Sequence, residues 1–247
     1  MRERPYVLLS AAMSADGYID DASGTRLVLS DEADLDRVDE LRARSDAILV
    51  GAHTIRTDNP SLRVRSPARQ RQRAERGLTT GPRKVTMTRS GNLDPRARFF
   101  AGPAWEPPLV YAASAAAGEL STRLAAAAVV VPAPAVAADA GTAPGAADAG
   151  VTAGTADLDL TWILADLAAR GVGRLMVEGG AKVLGQFLSA GLADEFLLAV
   201  APIFVADAAA PRLLAGTRPG GRMALDRVTQ TGDMAVLRYL PVTGEPG

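Results

Sequence analysis

Short apolar runs alternate along most of the chain with apolar positions at helical spacing. Tyr6-Val7-Leu8-Leu9-Ser10-Ala11-Ala12-Met13 reads as a buried strand, and Asp16-Gly17 marks the turn after it. Leu35, Val38 and Leu41 then recur at helical spacing up to Arg44. Ser30 is the expected N-cap of that helix, with Asp31 and Glu32 suited to its first turn. Ala47-Ile48-Leu49-Val50, ending at Gly51, is a second buried strand, and residues 84–88, 109–112 and 128–131 are a third, a fourth and a short fifth. A helix is predicted over 159–170, where Leu160, Ile163, Leu164 and Leu167 share one face. Arg174-Leu175-Met176-Val177 follows as a strand, then a helical pattern after Gly180, then the strand Glu195-Phe196-Leu197-Leu198-Ala199-Val200. Strands and helices alternating over short connections predict an α/β fold with a mostly parallel sheet covered on both faces.

The last third breaks this rhythm. Residues 222–231 and 233–240 are strand-like runs about Gly232-Asp233, which predicts an antiparallel hairpin at one sheet edge and makes the sheet mixed. Residues 132–156 are nearly all Ala, Gly, Pro, Thr and Asp, so they have little to bury and read as a flexible surface insertion in a single domain.

Composition narrows the function classes. A chain of 247 residues with 48% apolar content can build a substantial core. A net charge of −1 shows no basic excess for a nucleic-acid backbone. Residues 65–83 are rich in Arg and contain Pro67, but no aromatics are interleaved to stack bases, so they read as a solvated loop. The absence of cysteine excludes a disulfide framework, a thiolate nucleophile and a zinc ribbon, and His53 as the lone histidine excludes multi-histidine metal sites. No apolar run approaches the roughly 20 residues needed to span a bilayer, so a soluble, cytoplasmic protein is expected, with no metal and no membrane partner.

Four features carry chemical meaning. Val177-Glu178-Gly179-Gly180 ends a strand in a carboxylate and two glycines before the helical stretch that starts Ala181-Lys182-Val183. Glycines admit a ligand to the backbone, and a helix start offers unpaired N–H groups and a positive dipole end to a phosphate. Arg42, four residues after Val38, shares the inner face of the first helix and needs an anion there: an Asp or Glu nearby, or a ligand phosphate or carboxylate. Residues 51–65 form a donor-rich loop at the carboxyl end of the second strand, where α/β proteins place ligands. Thr88-Arg89-Ser90, just after the third strand, offers two hydroxyls and a guanidinium to a compact dianion such as the 2′-phosphate of NADPH.

In this order the pieces resemble a known family. Met13-Ser14-Ala15-Asp16-Gly17, the stretch Leu41-Arg42-Ala43-Arg44-Ser45-Asp46 running into the second strand, residues 54–65, Val177-Glu178-Gly179-Gly180, and Gly191-Leu192-Ala193-Asp194-Glu195 through Ala201-Pro202 are its markers. They are similar to the reductase domain of bacterial RibD and to the stand-alone riboflavin-pathway reductases of archaea and fungi, whose fold is that of dihydrofolate reductase. The resemblance runs from Tyr6 to about Leu240 and implies NADPH-dependent reduction of a ribosylamino-pyrimidine 5′-phosphate to its ribitylamino form. By resemblance, Met13, Thr54 and Asp58 line the cofactor, Thr88, Arg89 and Ser90 meet its adenosine phosphate, and Gly179, Gly180, Ala181, Lys182 and Val183 hold the pyrophosphate. Arg42 and Arg65 grip the substrate 5′-phosphate, Leu62 packs nearby and Glu178 faces polar groups of the substrate. With no His or Cys placed as proton donor, Asp58 or Glu178 acting through water are the catalytic candidates.

Two departures accompany the match: Ser10 stands where several relatives have Lys or Asn, and Thr25-Arg26 replaces a Ser common before the first helix. The His/Cys signature of the zinc deaminase domain of the bifunctional relatives is missing from this sequence, so deamination is expected to come from another protein. Two further readings stay open: a reductase of a pterin, dihydrofolate or specialised-metabolite pyrimidine, and a non-catalytic NADPH-binding module. A homodimer is expected, because the C-terminal hairpin leaves an open sheet edge and the resemblance points the same way.

Overall fold

The computed structural model describes residues 3–23, 27–102, 106–136, 157–214 and 221–242. The chain runs β1 (Tyr6–Ser14), α1 (Glu32–Ala43), β2 (Ala47–Gly51), α2 (Ala52–Asp58), α3 (Pro67–Glu75), β3 (Arg83–Thr88), β4 (Leu109–Ala113), α4 (Ser114–Leu124) and β5 (Val129–Ala133). It continues α5 (Leu160–Ala169), β6 (Arg174–Val177), α6 (Ala181–Ser189), β7 (Glu195–Ala201), β8 (Met223–Thr231) and β9 (Met234–Pro241). All nine strands join one sheet in the order β5-β4-β3-β2-β6-β1-β7-β9-β8. The first seven are mutually parallel, and β9 pairs antiparallel with both β7 and β8, as the strand pattern predicts.

Strand alternation splits the core. Leu8, Ile48 and Met176 lie in register and face the side covered by α1, α2 and α4, while Leu9, Leu49 and Val177, one residue on, face α5 and α6. The chain order explains the two layers. From β2 the chain steps outward to β5, then returns to insert β6 between β1 and β2 and to place β7 beyond β1. Right-handed crossovers running in opposite directions put their helices on opposite faces. Parallel pairing also gathers the carboxyl ends of β1, β2, β3 and β6 at one edge of the sheet.

Several local readings need correction. Asp31, not Ser30, caps α1, its carboxylate accepting the Asp34 amide at 2.8 Å. The apolar spacing of α1 places Val38 and Leu41 against the core, but Leu35 is partly exposed and the fully buried side chains include Asp34 and Asp39. Residues 51–65 are not wholly a loop, since α2 continues directly from β2. The Arg-rich stretch expected to be a solvated loop forms α3, with Ser66 as N-cap and Pro67 in the first turn. Its inner face is a guanidinium: Arg73, 3% exposed, donates to the carbonyls of Ala43, Ser45, Thr79 and Gly81. A helix with arginine at its buried position has no apolar stripe to betray it. The insertion also begins later than 132, because Pro132 and Ala133 belong to β5 and Ala135 pairs with Leu158. The rest of it, 137–156, and Thr25-Arg26 lie outside the described residues.

Candidate active site

The turn after β6 is built by backbone pairing with β2. The Glu178 amide donates to the Leu49 carbonyl and the Gly51 amide to the Gly179 carbonyl, both at 3.0 Å, extending the ladder beyond Val177. Gly179 turns at φ +115°, a conformation disfavoured for residues with a Cβ. The Gly180 amide then donates to Thr54 Oγ1 at 3.0 Å, and a Cβ on Gly180 would stand 2.9 Å from that oxygen. Helix α6 starts at the next residue without a side-chain cap, so its first-turn amides and its positive dipole end open onto the sheet edge.

Two cavities flank this junction. One, of about 410 Å³, is lined by Gly51, His53 and Arg56 from the β2–α2 corner, Thr88, Arg89 and Ser90 after β3, and Lys182 and Val183 of α6. The other, of about 470 Å³, takes Thr54, Asp58, Arg65, Glu178, Gly179, Gly180 and Ala181, with Ala11 and Ala12 of β1 and apolar side chains including Ile19, Leu29, Leu35 and Leu213. The start of α6 therefore serves both spaces. The second cavity is closed along one side by a tied pair of loops: Asp16 accepts the amides of Val205 and Ala206, the Arg212 guanidinium stacks 4.3 Å over Tyr18, and the Ile19 amide donates to Pro211.

Charge is paired within these walls. Arg42 needs an anion and has one: its Nε and Nη2 each lie 2.6 Å from a carboxylate oxygen of Glu178, and Nη1 reaches the Arg63 carbonyl at 3.3 Å. Burial opposes the charge of Arg42, but the bonds to Glu178 outweigh burial and hold its pKa above the ordinary arginine value. Asp39, buried in α1, accepts the amides of Arg65 and Ser66 and the Arg69 guanidinium. Burial disfavours its ionisation, and these three donors more than offset that, so its pKa lies below the usual carboxylate range. Among the described residues, no His, Cys, Asp and Glu gather as a metal site, and no helix is long and apolar enough to cross a membrane.

A family model for the RibD C-terminal domain matches residues 5–237. The chain belongs to that family. A 2,5-diamino-6-ribosylamino-4(3H)-pyrimidinone 5′-phosphate reductase of Archaeoglobus fulgidus is 30% identical over 93% of the chain and 95% of the relative. One of the same name from Methanothermobacter thermautotrophicus is 33% identical over 96% of the chain and 98% of the relative. Among solved structures, a pyrimidine reductase-like protein from Corynebacterium diphtheriae superposes with a TM-score of 0.75 at 25% identity, covering 97% of the chain and 93% of the neighbour. A RibD from Acinetobacter baumannii gives 0.72 at 23% identity over 98% of the chain, which spans 59% of that longer protein.

Most of the residues expected at the site gather at these two cavities. Thr54, Asp58, Arg65, Glu178, Gly179, Gly180 and Ala181 line one, and Thr88, Arg89, Ser90, Lys182 and Val183 the other. Met13 and Leu62 are placed differently. Met13 packs against the core that β1 shares with α5 and α6, and Leu62, at φ +49°, is buried in the core beneath α2 and α4. Arg42 stands behind Glu178 rather than unpaired in the open cavity. Asp39 and Asp157 were missed. A carboxylate that caps amides in a remote loop, or one that follows a low-complexity stretch, has no local sequence pattern to announce it.

Proposed function

We propose that the chain is an NADPH-dependent reductase acting on a ribosylamino-pyrimidine 5′-phosphate in riboflavin biosynthesis; its relatives are named as reductases of such a pyrimidinone phosphate. The observation that carries this reading is the pair of cavities on either side of the start of α6, with phosphate-seeking groups set apart in each: Arg89 and Lys182 in one, Arg65 in the other. An elongated dinucleotide and a compact phosphorylated substrate can then meet at a junction of glycine backbone.

The residues fit the cofactor. The close approach of Gly180 to Thr54 leaves the turn bare of side chain, and the uncapped start of α6 presents amides for a pyrophosphate. Thr88, Arg89 and Ser90 would hold its adenosine phosphate, and Thr54 and Asp58 would line its nicotinamide end. NADPH bound there supplies the hydride. Glu178, oriented by Arg42, accepts hydrogen bonds from polar groups of the substrate. Arg42 thus serves the substrate through Glu178, and Arg65 is the guanidinium facing the phosphate. Asp58, at the exposed end of α2, relays a proton through water.

The C-terminal hairpin supports a homodimer. Leu225 and Val228 of β8 are 54% and 57% exposed, and this edge strand pairs on one side only. A second copy would cover both the face and the edge. Light scattering at micromolar concentration should give twice the chain mass, and a monomer would overturn this part.

Activity is tested by following NADPH oxidation at 340 nm with the 2-amino and 2-oxo ribosylamino-pyrimidine phosphates and with dihydrofolate. Turnover of a pyrimidine phosphate is expected. Turnover of dihydrofolate alone would move the chain to the pterin reading, and tight NADPH binding with no turnover of any of the three would make it a binding module.

A further inference from the structure

One side chain in the Arg89 cavity has the wrong sign for a phosphate site. Asp157 lines the same space as Thr88, Arg89 and Lys182, and its Oδ1 lies 3.5 Å from Arg89 Nη1 and 3.6 Å from Lys182 Nζ. One carboxylate oxygen thus stands between two cations that come from different elements, the end of β3 and the first turn of α6. Both separations are longer than a good charged hydrogen bond, so the side chain fills the gap electrostatically without being locked in it.

Its backbone, in contrast, is pinned. The Val136 amide donates to the Asp157 carbonyl at 2.8 Å, Leu158 bridges to Ala135, and the Asp159 amide donates to Pro134 at 2.9 Å before the Asp159 side chain caps α5. The carboxylate is therefore delivered to this position by main chain paired at Asp157 itself and at the two residues that follow, while its side chain, 43% exposed, can turn outward.

We propose that Asp157 is a cofactor-specificity determinant: its carboxylate occupies the place between Arg89 and Lys182 that a cofactor 2′-phosphate would take, and must turn away for that phosphate to bind. The inference rests on the assignment of this cavity to the adenosine phosphate. It sets NADPH affinity below what two cations alone would give, because a dianion entering the gap meets a like charge at contact distance. A cofactor with a free 2′-hydroxyl meets no such repulsion. Asp157 accordingly narrows the preference for NADPH over NADH.

The test is calorimetric titration of the full chain with 2′,5′-ADP and with ADP, probes that differ by the one phosphate and need no turnover. Asp157→Asn and Asp157→Ser should both tighten 2′,5′-ADP on the order of tenfold while changing ADP by less than about twofold. Unaltered melting temperatures would show that the pinned main chain is intact. Equal 2′,5′-ADP affinity in wild type and both variants would overturn the proposal, as would weaker binding, which would make Asp157 a residue that orders the two cations. The underlying assignment fails separately: if wild type does not distinguish 2′,5′-ADP from ADP and Arg89→Ala changes neither, the phosphate does not bind here and the proposal falls with it.

Discussion

The guanidinium of Arg42 and the carboxylate of Glu178, 136 residues apart in the chain, meet as a two-point fork with both contacts at 2.6 Å. The fork ties the inner face of α1 to the end of β6 and fixes the carboxylate at the mouth of the larger cavity. Both side chains are largely buried, so removing one strands the other. Arg42→Met should lower stability by about 3 kcal/mol, and the double change Arg42→Met with Glu178→Leu should recover most of it. Urea unfolding of the two single variants and the double variant measures this. Additive losses would show that the two residues act independently.

The Thr54–Gly180 bond makes a second prediction. Thr54→Val leaves the Gly180 amide without its acceptor, and Gly180→Ala presses a methyl group against Thr54 Oγ1. Each should weaken NADPH binding about tenfold, the effect of roughly one charge-assisted hydrogen bond misplaced in the cradle. Titration with NADPH checks this, and circular dichroism should show an unchanged fold. Unaltered affinity in both variants would remove the turn from the cofactor site.

Asp39 supports the proposed substrate side from beneath. It accepts the main-chain amides of Arg65 and Ser66, so it sets where the Arg65 side chain begins. Asp39→Ala should raise the KM for the phosphorylated pyrimidine and cost about 1 to 3 kcal/mol of stability, with little change in NADPH affinity. Equal losses for both ligands would mean that the helix α1 packing has failed more widely.

Lys84 supplies a pH dependence. Its ammonium donates to the carbonyls of Phe99 and Ala101 at 2.8 and 2.6 Å, and burial, with some repulsion from Arg63, pushes its pKa down to about 8. An unfolded lysine titrates at about 10.4, so between these values the unfolded chain binds more protons and stability contributed at this site rises with pH. Wild type should therefore gain on Lys84→Met as pH goes from about 7 to about 9.5 in urea unfolding. A constant gap would show that Lys84 titrates normally in the folded protein.

Strands were the readable part of this chain. Runs such as Ala47-Ile48-Leu49-Val50 are buried on both faces, and their placement needs no information from elsewhere. The glycine turn after β6 was readable for a related reason, since it joins a strand signal to a helix signal. Helices α2 and α3 were not. In α3 the buried position is Arg73, stabilised by four main-chain carbonyls that belong to residues 43–81. The same reason hid the partner of Arg42: the spacing in α1 shows that a guanidinium points inward, but which anion meets it depends on β6 being inserted beside β2.

That insertion also orders events in time. During synthesis β1 and β2 emerge long before β6, and each keeps an edge of unpaired amides and carbonyls until residues 174–177 arrive to fill the gap between them. The turn between the two cavities depends on the same event, because the amides and carbonyls that shape it pair across β2 and β6. Long-range parallel pairing of this kind is slow and leaves sticky edges exposed while it waits. The nascent chain is thus most vulnerable to aggregation in the interval between translation of β2 and translation of β6. Pulsed hydrogen exchange during refolding should show the amides of Gly51 and Glu178 gaining protection together, after those that join β3 to β4.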